Sequence, residues 1–204
     1  MAQDIKKINI GFTRTCDCAP SHINCLSAKE WIKNQLGVWQ FTYEKRDIRD
    51  KSVHPATFPV SLAKRVISLF SHEGELVLDP FTGSGTVLLA AQDLNRNALG
   101  FDLQEKYIEL CKSRLINNNF FNNSKQIPIL DDALNIQDYL EKETLSLIFT
   151  SPPYANLLNR QRKNKSRRGE TRNNDQFMKI EQYSQDPRDL GTMPIDIYTQ
   201  NMGD

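Results

Sequence analysis

The sequence lacks both phosphate-cradling signatures expected of a strand–glycine turn–helix unit. A dinucleotide fingerprint built on Gly83 and Gly85 would need glycine at 88, where Leu88 stands; a Walker loop would need lysine after the last glycine, where Thr86 stands. Long apolar runs are missing too. Nothing approaches the roughly 18 residues a bilayer span requires, and the opening "MAQDIKKINIG" has no apolar stretch of signal-peptide length. These absences imply no membrane partner, a cytoplasmic location and reduced thiols at the four cysteines. Charge of one sign is also absent overall. The formal net charge of +1 neither demands nor excludes a nucleic-acid partner, because clustering decides that. With 204 residues, 39% hydrophobic and 25% charged, the chain fits a soluble globular protein. No internal repeat is visible.

What is present is alternation. Residues 1–50 form an N-terminal segment in which "LSAKEWIKNQLG" predicts a helix from Ser27 to Leu36, ended by Gly37. "HPATFP" is a proline-bracketed loop from His54 to Pro59. After it, Leu62, Val66, Leu69 and Phe70 recur at helical spacing, with Pro59 at the helix start. Strands are expected at 75–81, 98–103, 127–133 and 145–151, and helices at 85–97, 105–118 and 136–142. Tyr107, Ile108, Cys111 and Leu115 share one face of the second of these helices. Such alternation predicts βαβ units in a Rossmann-like, doubly wound parallel sheet spanning 51–155. Residues 156–204 form a basic loop and a polar tail with no evident closing element.

Ligands of open parallel sheets bind outside the carboxyl ends of the strands. "LDPFTGSGT" (78–86) joins the first strand to its helix there, and its glycines let the backbone turn tightly. Asp102 ends the second strand, 102 − 83 = 19 residues after Gly83, where a carboxylate accepts hydrogen bonds from a ribose. With the phosphate signatures absent, the turn fits a nucleoside ligand without phosphate, such as S-adenosylmethionine. Asp131 and Asp132 end the third strand. One of them would accept from an adenine amino group; the plain alternative is a cap or turn carboxylate.

The fourth strand stops at "TSPPY". Pro152 and Pro153 have no N–H, so the segment offers acceptors without competing donors. The Ser151 side-chain oxygen and the Pro152 carbonyl suit a planar group bearing an NH₂, with Tyr154 stacking on it. Holding both hydrogens of a base amine favours a tetrahedral nitrogen whose lone pair faces an electrophilic methyl. The base would first leave the duplex. The plain alternative is a proline-terminated strand with an incidental tyrosine.

On these blocks the chain resembles the DNA methyltransferases that modify cytosine N4 or adenine N6. "DPFTGSGT" resembles their cofactor loop, "TSPPY" their catalytic motif, "HPATFP" the segment against the methionine part of the cofactor, and "GFDLQEKY" and "DDA" the ribose-side and adenine-side strand ends. The resemblance covers about residues 50–155. It implies a class I methyltransferase fold, S-adenosylmethionine as cofactor, and double-stranded DNA and a cognate restriction endonuclease system as partners. Asp79, Phe81, Gly83, Gly85 and Thr86 would line the cofactor loop, with Asp102 on the ribose and Asp132 on the adenine side. His54, Phe58 and Pro59 would flank the methionine end, and Ser151, Pro152, Pro153 and Tyr154 would hold the target base. Serine at the head of the catalytic motif is the usual mark of cytosine-N4 enzymes, so a site-specific cytosine-N4 methyltransferase is expected, with adenine-N6 as the alternative. The family sheet normally continues past this motif. Only fifty residues (204 − 154) follow Tyr154, without three further strands. The sheet is therefore expected to be incomplete at the C-terminus and to need a missing segment or a partner chain. The reading from another class is a non-catalytic, cofactor- and DNA-binding half of a split enzyme.

Two features remain. The run 159–172 carries seven Lys or Arg and one Glu. Arg160, Arg162, Lys163, Lys165, Arg167 and Arg168 are candidate phosphate contacts, which would make binding salt-sensitive; the alternative is a solvated loop. "CDCAPSHINC" offers Cys16, Cys18, His22 and Cys25. C-x-C is not the usual knuckle spacing and no second knuckle follows, so unliganded reduced thiols without metal are expected there. Cys111 is expected in the core, and Trp31 and Trp39 in packing roles.

Overall fold

The computed structural model describes residues 7–8, 13–35, 37–43, 57–116, 123–155 and 186–203. His54 and the whole basic run lie outside them. The described residues group into two compact units, Met1–Ser151 and Pro152–Asp204.

The first unit holds helices α1 (Ala28–Asn34) and α2 (Val60–Phe70), strand β1 (Leu76–Asp79), α3 (Thr86–Asp93), β2 (Asn97–Asp102), α4 (Glu105–Ile116), β3 (Gln126–Leu130), a 3₁₀ turn (Ala133–Asn135), α5 (Ile136–Tyr139) and β4 (Leu147–Ile148). All strand pairs are parallel, in the order β3-β2-β1-β4. The register runs Leu76 to Asn97, Asp79 to Gly100, and Asp102 to Leu130. This is the α/β doubly wound sheet the alternation predicts.

Each element starts where local chemistry dictates. Ser27 caps α1 in a full capping box with Glu30. Pro59 precedes α2 in extended conformation. The buried stripe of α2 differs from the expected one: Val60, Ala63, Ile67 and Leu69 face inward, whereas Phe70 is exposed. Two helical registers were available, and the sheet face selected the one led by small Ala63, which admits α3. On α4, the expected face of Tyr107, Ile108, Cys111 and Leu115 is buried.

Both faces of the sheet are covered, as a parallel sheet requires. Val77 and Ala98 point to a core shared with Ile67, Val87, Leu88 and Leu115 from α2, α3 and α4. Their strand neighbours Leu76, Leu78, Leu99 and Phe101 point the other way, onto Tyr139 and Leu140. Successive connections from β1 to β3 step in one direction; the connection through α5 returns the chain to the far side of β1. The β1/β4 boundary is thus a switch point, and its carboxyl edge is the crevice where such sheets bind ligands.

β4 is shorter than expected. Only Leu147 and Ile148 pair as strand residues, opposite Val77 and Leu78. Among the described residues it has a neighbour on one side only, and the Thr150 side chain turns onto the tip of β1.

The second unit contains a 3₁₀ turn (Leu190–Thr192) capped by Asp189, and a helix, α6 (Ile195–Asn201), preceded by Pro194. The sequence reading expected no closing element in this tail; a short proline-led helix forms there.

Among the described residues, no helix is long and apolar enough to cross a membrane.

Candidate active site at the carboxyl edge of the sheet

The turn between β1 and α3 is built by close approach. Gly83 and Gly85 adopt positive φ (48° and 79°). A Cβ added to Gly85 would lie 2.2 Å from Cys111 Sγ, so α4 packs directly against this backbone. The turn is tied to β2 twice: Thr82 N–H donates to the Phe101 carbonyl at 2.8 Å, and Gly83 N–H donates to Asp102 Oδ2 at 3.0 Å. Asp102 Oδ1 accepts from Gln104 N–H at 2.8 Å. These two bonds orient the Asp102 carboxylate at the end of β2.

Sequence reasoning missed Arg114. It is buried on α4, and its Nη1 donates to the Ser84 carbonyl (2.6 Å), Ser84 Oγ (3.0 Å) and Thr86 Oγ1 (3.3 Å). A guanidinium thus holds the turn from beneath. Its sequence signal is weak, since an arginine in the last turn of a helix normally serves the helix dipole. Replacing it with the similarly long, apolar Met should cost about 3 kcal/mol, because several hydrogen bonds to a charged group are lost. Arg114→Met should therefore melt at least several degrees lower and bind S-adenosylmethionine more weakly in calorimetric titration, with Arg114→Lys intermediate. Unchanged melting and binding would mean the turn stands without the guanidinium.

Asp79 closes β1 and is buried. Burial pushes its carboxyl up to about 7, against the opposing hydrogen bonds from Thr150 and the Phe81 N–H, and the Asp102 carboxylate adds to the rise. Thr150 Oγ1 donates to Asp79 Oδ1 at 2.6 Å, and Phe81 N–H donates to the same oxygen at 3.2 Å. A carboxyl raised from 3.8 to about 7 on folding favours the fold fully below the lower value, and that contribution is lost as pH rises to the upper one. Asp79→Asn keeps an acceptor for Thr150 and Phe81. It should flatten the decline in melting temperature between about pH 4 and 7. A parallel decline in both proteins would assign the pH dependence to other groups.

The Thr150 bond has a second consequence. It fastens the end of β4 to the end of β1, and so sets Ser151, with its exposed side chain, at the same sheet edge as the glycine turn. Pro152, Pro153 and Tyr154 begin the second unit.

The other expected site residues have mixed placements. Pro59 is buried at the start of α2. Phe58 packs edge-on against Phe149, ring centroids 5.6 Å apart. Asp132 caps the 3₁₀ turn by accepting from Leu134 N–H at 3.1 Å, while Asp131 accepts from the Tyr139 hydroxyl and from Asn135. His54, Arg160, Arg162, Lys163, Lys165, Arg167 and Arg168 lie outside the described residues. Cys111 is a core thiol, raised to about 12 by burial. Trp39 packs under the Arg65 guanidinium, 4.4 Å from the ring centroid.

Comparison with known proteins places this edge in context. A family model described as DNA methylase matches residues 4–113, and one described as D12 class N6 adenine-specific DNA methyltransferase matches residues 60–187. Type II methyltransferase M.HpaI of Haemophilus parainfluenzae is 40% identical over 82 residues, 40% of this chain and 26% of that protein. Type II methyltransferase M.BglI of Bacillus subtilis is 32% identical over 127 residues, 61% of this chain and 35% of that protein. The chain thus spans between a quarter and about a third of the length of these curated relatives. Among solved structures, the DNA modification methylase TTHA0409 of Thermus thermophilus, complexed with S-adenosyl-L-methionine, superposes on 49% of this chain and 37% of its own, with 31% identity and a TM-score of 0.38.

Proposed function

Because this chain belongs to the family of S-adenosylmethionine-dependent DNA methyltransferases, we propose that it carries a methyl group from S-adenosylmethionine to the exocyclic N4 amine of a cytosine flipped out of double-stranded DNA. The observation that carries the proposal is the Thr150–Asp79 hydrogen bond, because it joins the head of the TSPPY motif to the tip of the strand that opens the glycine turn.

The donor set at the edge suits this cofactor. Asp79 and Asp102 are carboxylates at the ends of adjacent strands, and the Asp102 carboxylate adds to the rise of the Asp79 carboxyl. A cationic ligand with hydroxyl donors relieves that repulsion. S-adenosylmethionine has both a sulfonium and an ammonium, and ribose hydroxyls for Asp102. When bound, it supplies an electrophilic methyl group. The remaining work falls to the chain. Phe81, Gly83, Gly85 and Thr86 shape the loop, with Asp132 on the adenine side and His54, Phe58 and Pro59 at the methionine end. Ser151 Oγ and the Pro152 carbonyl accept the two amine hydrogens of the target base and so aim its lone pair. Pro153 stiffens this loop, and Tyr154 stacks on the flipped ring, offsetting part of the few kcal/mol that flipping costs. The basic run supplies phosphate contacts on the DNA. The relatives' designation as type II methyltransferases favours a role beside a cognate restriction endonuclease.

Adenine-N6 methylation is the second reading, favoured by the match of residues 60–187 to the D12 adenine-specific family. It uses the same amine geometry. One experiment separates the two. The protein is incubated with isotopically labelled S-adenosylmethionine and mixed-sequence duplex DNA, and the DNA is digested to nucleosides. N4-methyldeoxycytidine is the expected product. N6-methyldeoxyadenosine would replace the first reading by the second, and methyl groups on ring carbon would overturn both. Titration of S-adenosylmethionine into the same preparation should show one-to-one binding.

A further inference from the structure

The cysteines of the N-terminal segment converge on a histidine far away in sequence. One ligand atom each from Cys16, Cys18, Cys25 and His72 lies within 4.8 Å of all the others. His22, the ligand the sequence spacing offers, is not among them. We infer that Cys16, Cys18, Cys25 and His72 form a tetrahedral Cys₃His zinc site that staples residues 13–26 to the turn between α2 and β1. This reverses the expectation of unliganded thiols, because that expectation rested on local spacing and the fourth ligand is non-local.

Distances carry the first part of the argument. Cys16 Sγ and Cys25 Sγ lie 3.5 and 3.4 Å from His72 Nδ1. Zinc bound tetrahedrally at about 2.3 Å from sulfur and about 2.0 Å from nitrogen sets those atoms about 3.5 Å apart. Hydrogen bonding accounts for the geometry less well. A neutral imidazole nitrogen has a single lone pair, so it accepts from one thiol, and two thiols face it here. A cation among the four atoms satisfies them all. Three soft sulfurs and an imidazole select zinc over calcium or magnesium, and a closed set of four protein ligands makes the site structural.

The backbone supports the same conclusion. Asn24 and Cys25 both have positive φ (50° and 68°), in a tight turn whose flanking residues exchange hydrogen bonds: Ile23 N–H to Leu26 O at 2.8 Å and the reverse at 2.9 Å. Asparagine accepts such a position readily, but cysteine does not. Strain of this kind persists where the surroundings over-determine it, and a metal–sulfur bond does so. Two donors already face the sulfurs as an outer shell: Glu73 N–H to Cys25 Sγ at 3.4 Å, and Arg14 Nε to Cys16 Sγ at 3.0 Å. Three thiolates, a neutral imidazole and Zn²⁺ sum to −1, which the Arg14 guanidinium balances. Contacts that need no ion dock the segment beforehand. Thr15 N–H donates to the Glu73 carbonyl at 2.8 Å, and Asn24 Nδ2 to the Leu69 carbonyl at 2.5 Å. The site lies at the amino end of β1, the opposite edge of the sheet from Asp79 and Ser151.

The test is elemental analysis of the full chain, purified under reducing conditions. One zinc per chain is expected, retained by His22→Ala and lost by Cys25→Ser and His72→Ala. Should those ligand variants fail to fold, cobalt(II) titration into the reduced wild-type protein gives an independent readout. Thiolate-to-cobalt charge transfer with the intense visible bands of tetrahedral cobalt supports the site. Wild-type protein that holds no zinc and gives no such spectrum overturns it. Zinc lost by His22→Ala but kept by His72→Ala overturns the ligand assignment, and iron in place of zinc overturns the metal.

Discussion

Ser151→Ala is expected to slow methyl transfer severely while leaving the fold and cofactor binding intact. The Ser151 side chain is exposed, so truncating it removes no core packing and leaves no buried polar partner. Its position is maintained from the preceding residue, through the Thr150 hydroxyl on Asp79, and that bond survives the substitution. In the proposed reaction, the lost group is one of two acceptors for the target amine. Removing one preorganised polar contact from a transferring site costs about 10²–10³ in turnover. The measurement is the single-turnover rate of label transfer to duplex DNA, set beside the affinity for S-adenosylmethionine and the melting temperature. Affinity and melting should match the wild type while the rate falls. An undiminished rate would remove Ser151 from the chemistry. A rate and an affinity that fall together would make it a cofactor contact.

Gly85→Ala is expected to destabilise the turn between β1 and α3. At Gly85, φ is 79° and an added Cβ would meet Cys111 Sγ at 2.2 Å and Cys111 Cβ at 2.9 Å. An alanine there carries the left-handed penalty, roughly 1–2 kcal/mol, together with overpacking that typically costs about 1–3 kcal/mol. A loss near 3 kcal/mol corresponds to roughly 10 °C of melting temperature for a chain of this size. Binding of S-adenosylmethionine should fall with it, because the displaced backbone carries Gly83 N–H, the donor to Asp102. Gly37→Ala is the control, since nothing lies within 4 Å of its added Cβ, and it should melt with the wild type. Adding Cys111→Ala to Gly85→Ala should recover part of the loss, as the nearer clash disappears and the strained φ remains. Equal melting of Gly85→Ala and Gly37→Ala would show that α4 does not press on the turn.

The elements that carry the cofactor edge were legible in order because their signals are local. The β1–turn–α3 unit announces itself through an apolar strand, two glycines and a helical run. The face of α4 with Tyr107, Ile108, Cys111 and Leu115 repeats at helical spacing. Ser27 and Glu30 mark the start of α1. Side-chain period and turn chemistry act over a few residues, so one sequence displays them. The offset from Gly83 placed Asp102 at the end of β2 for the same reason, whereas the bond it accepts from the Gly83 N–H was seen only in the structure.

Other features depend on contacts that no local pattern encodes. Whether Phe70 or Ile67 faces inward was decided by the sheet and by α3, because both registers of α2 are apolar. Arg114 reaches Ser84 across 30 residues, and Thr150 reaches Asp79 across 71. Cys16 meets His72 across 56 residues, although His22 lies only six residues away in sequence. By itself, then, the sequence determined the parallel α/β sheet, the glycine turn, the acidic strand ends and the TSPPY tip, because backbone geometry and side-chain period are written within each segment. Tertiary structure alone decided which buried guanidinium supports the turn, which hydroxyl fastens β4 to β1, and which histidine joins the three cysteines. Each of those choices is made by the register and crossing of elements far apart in the chain.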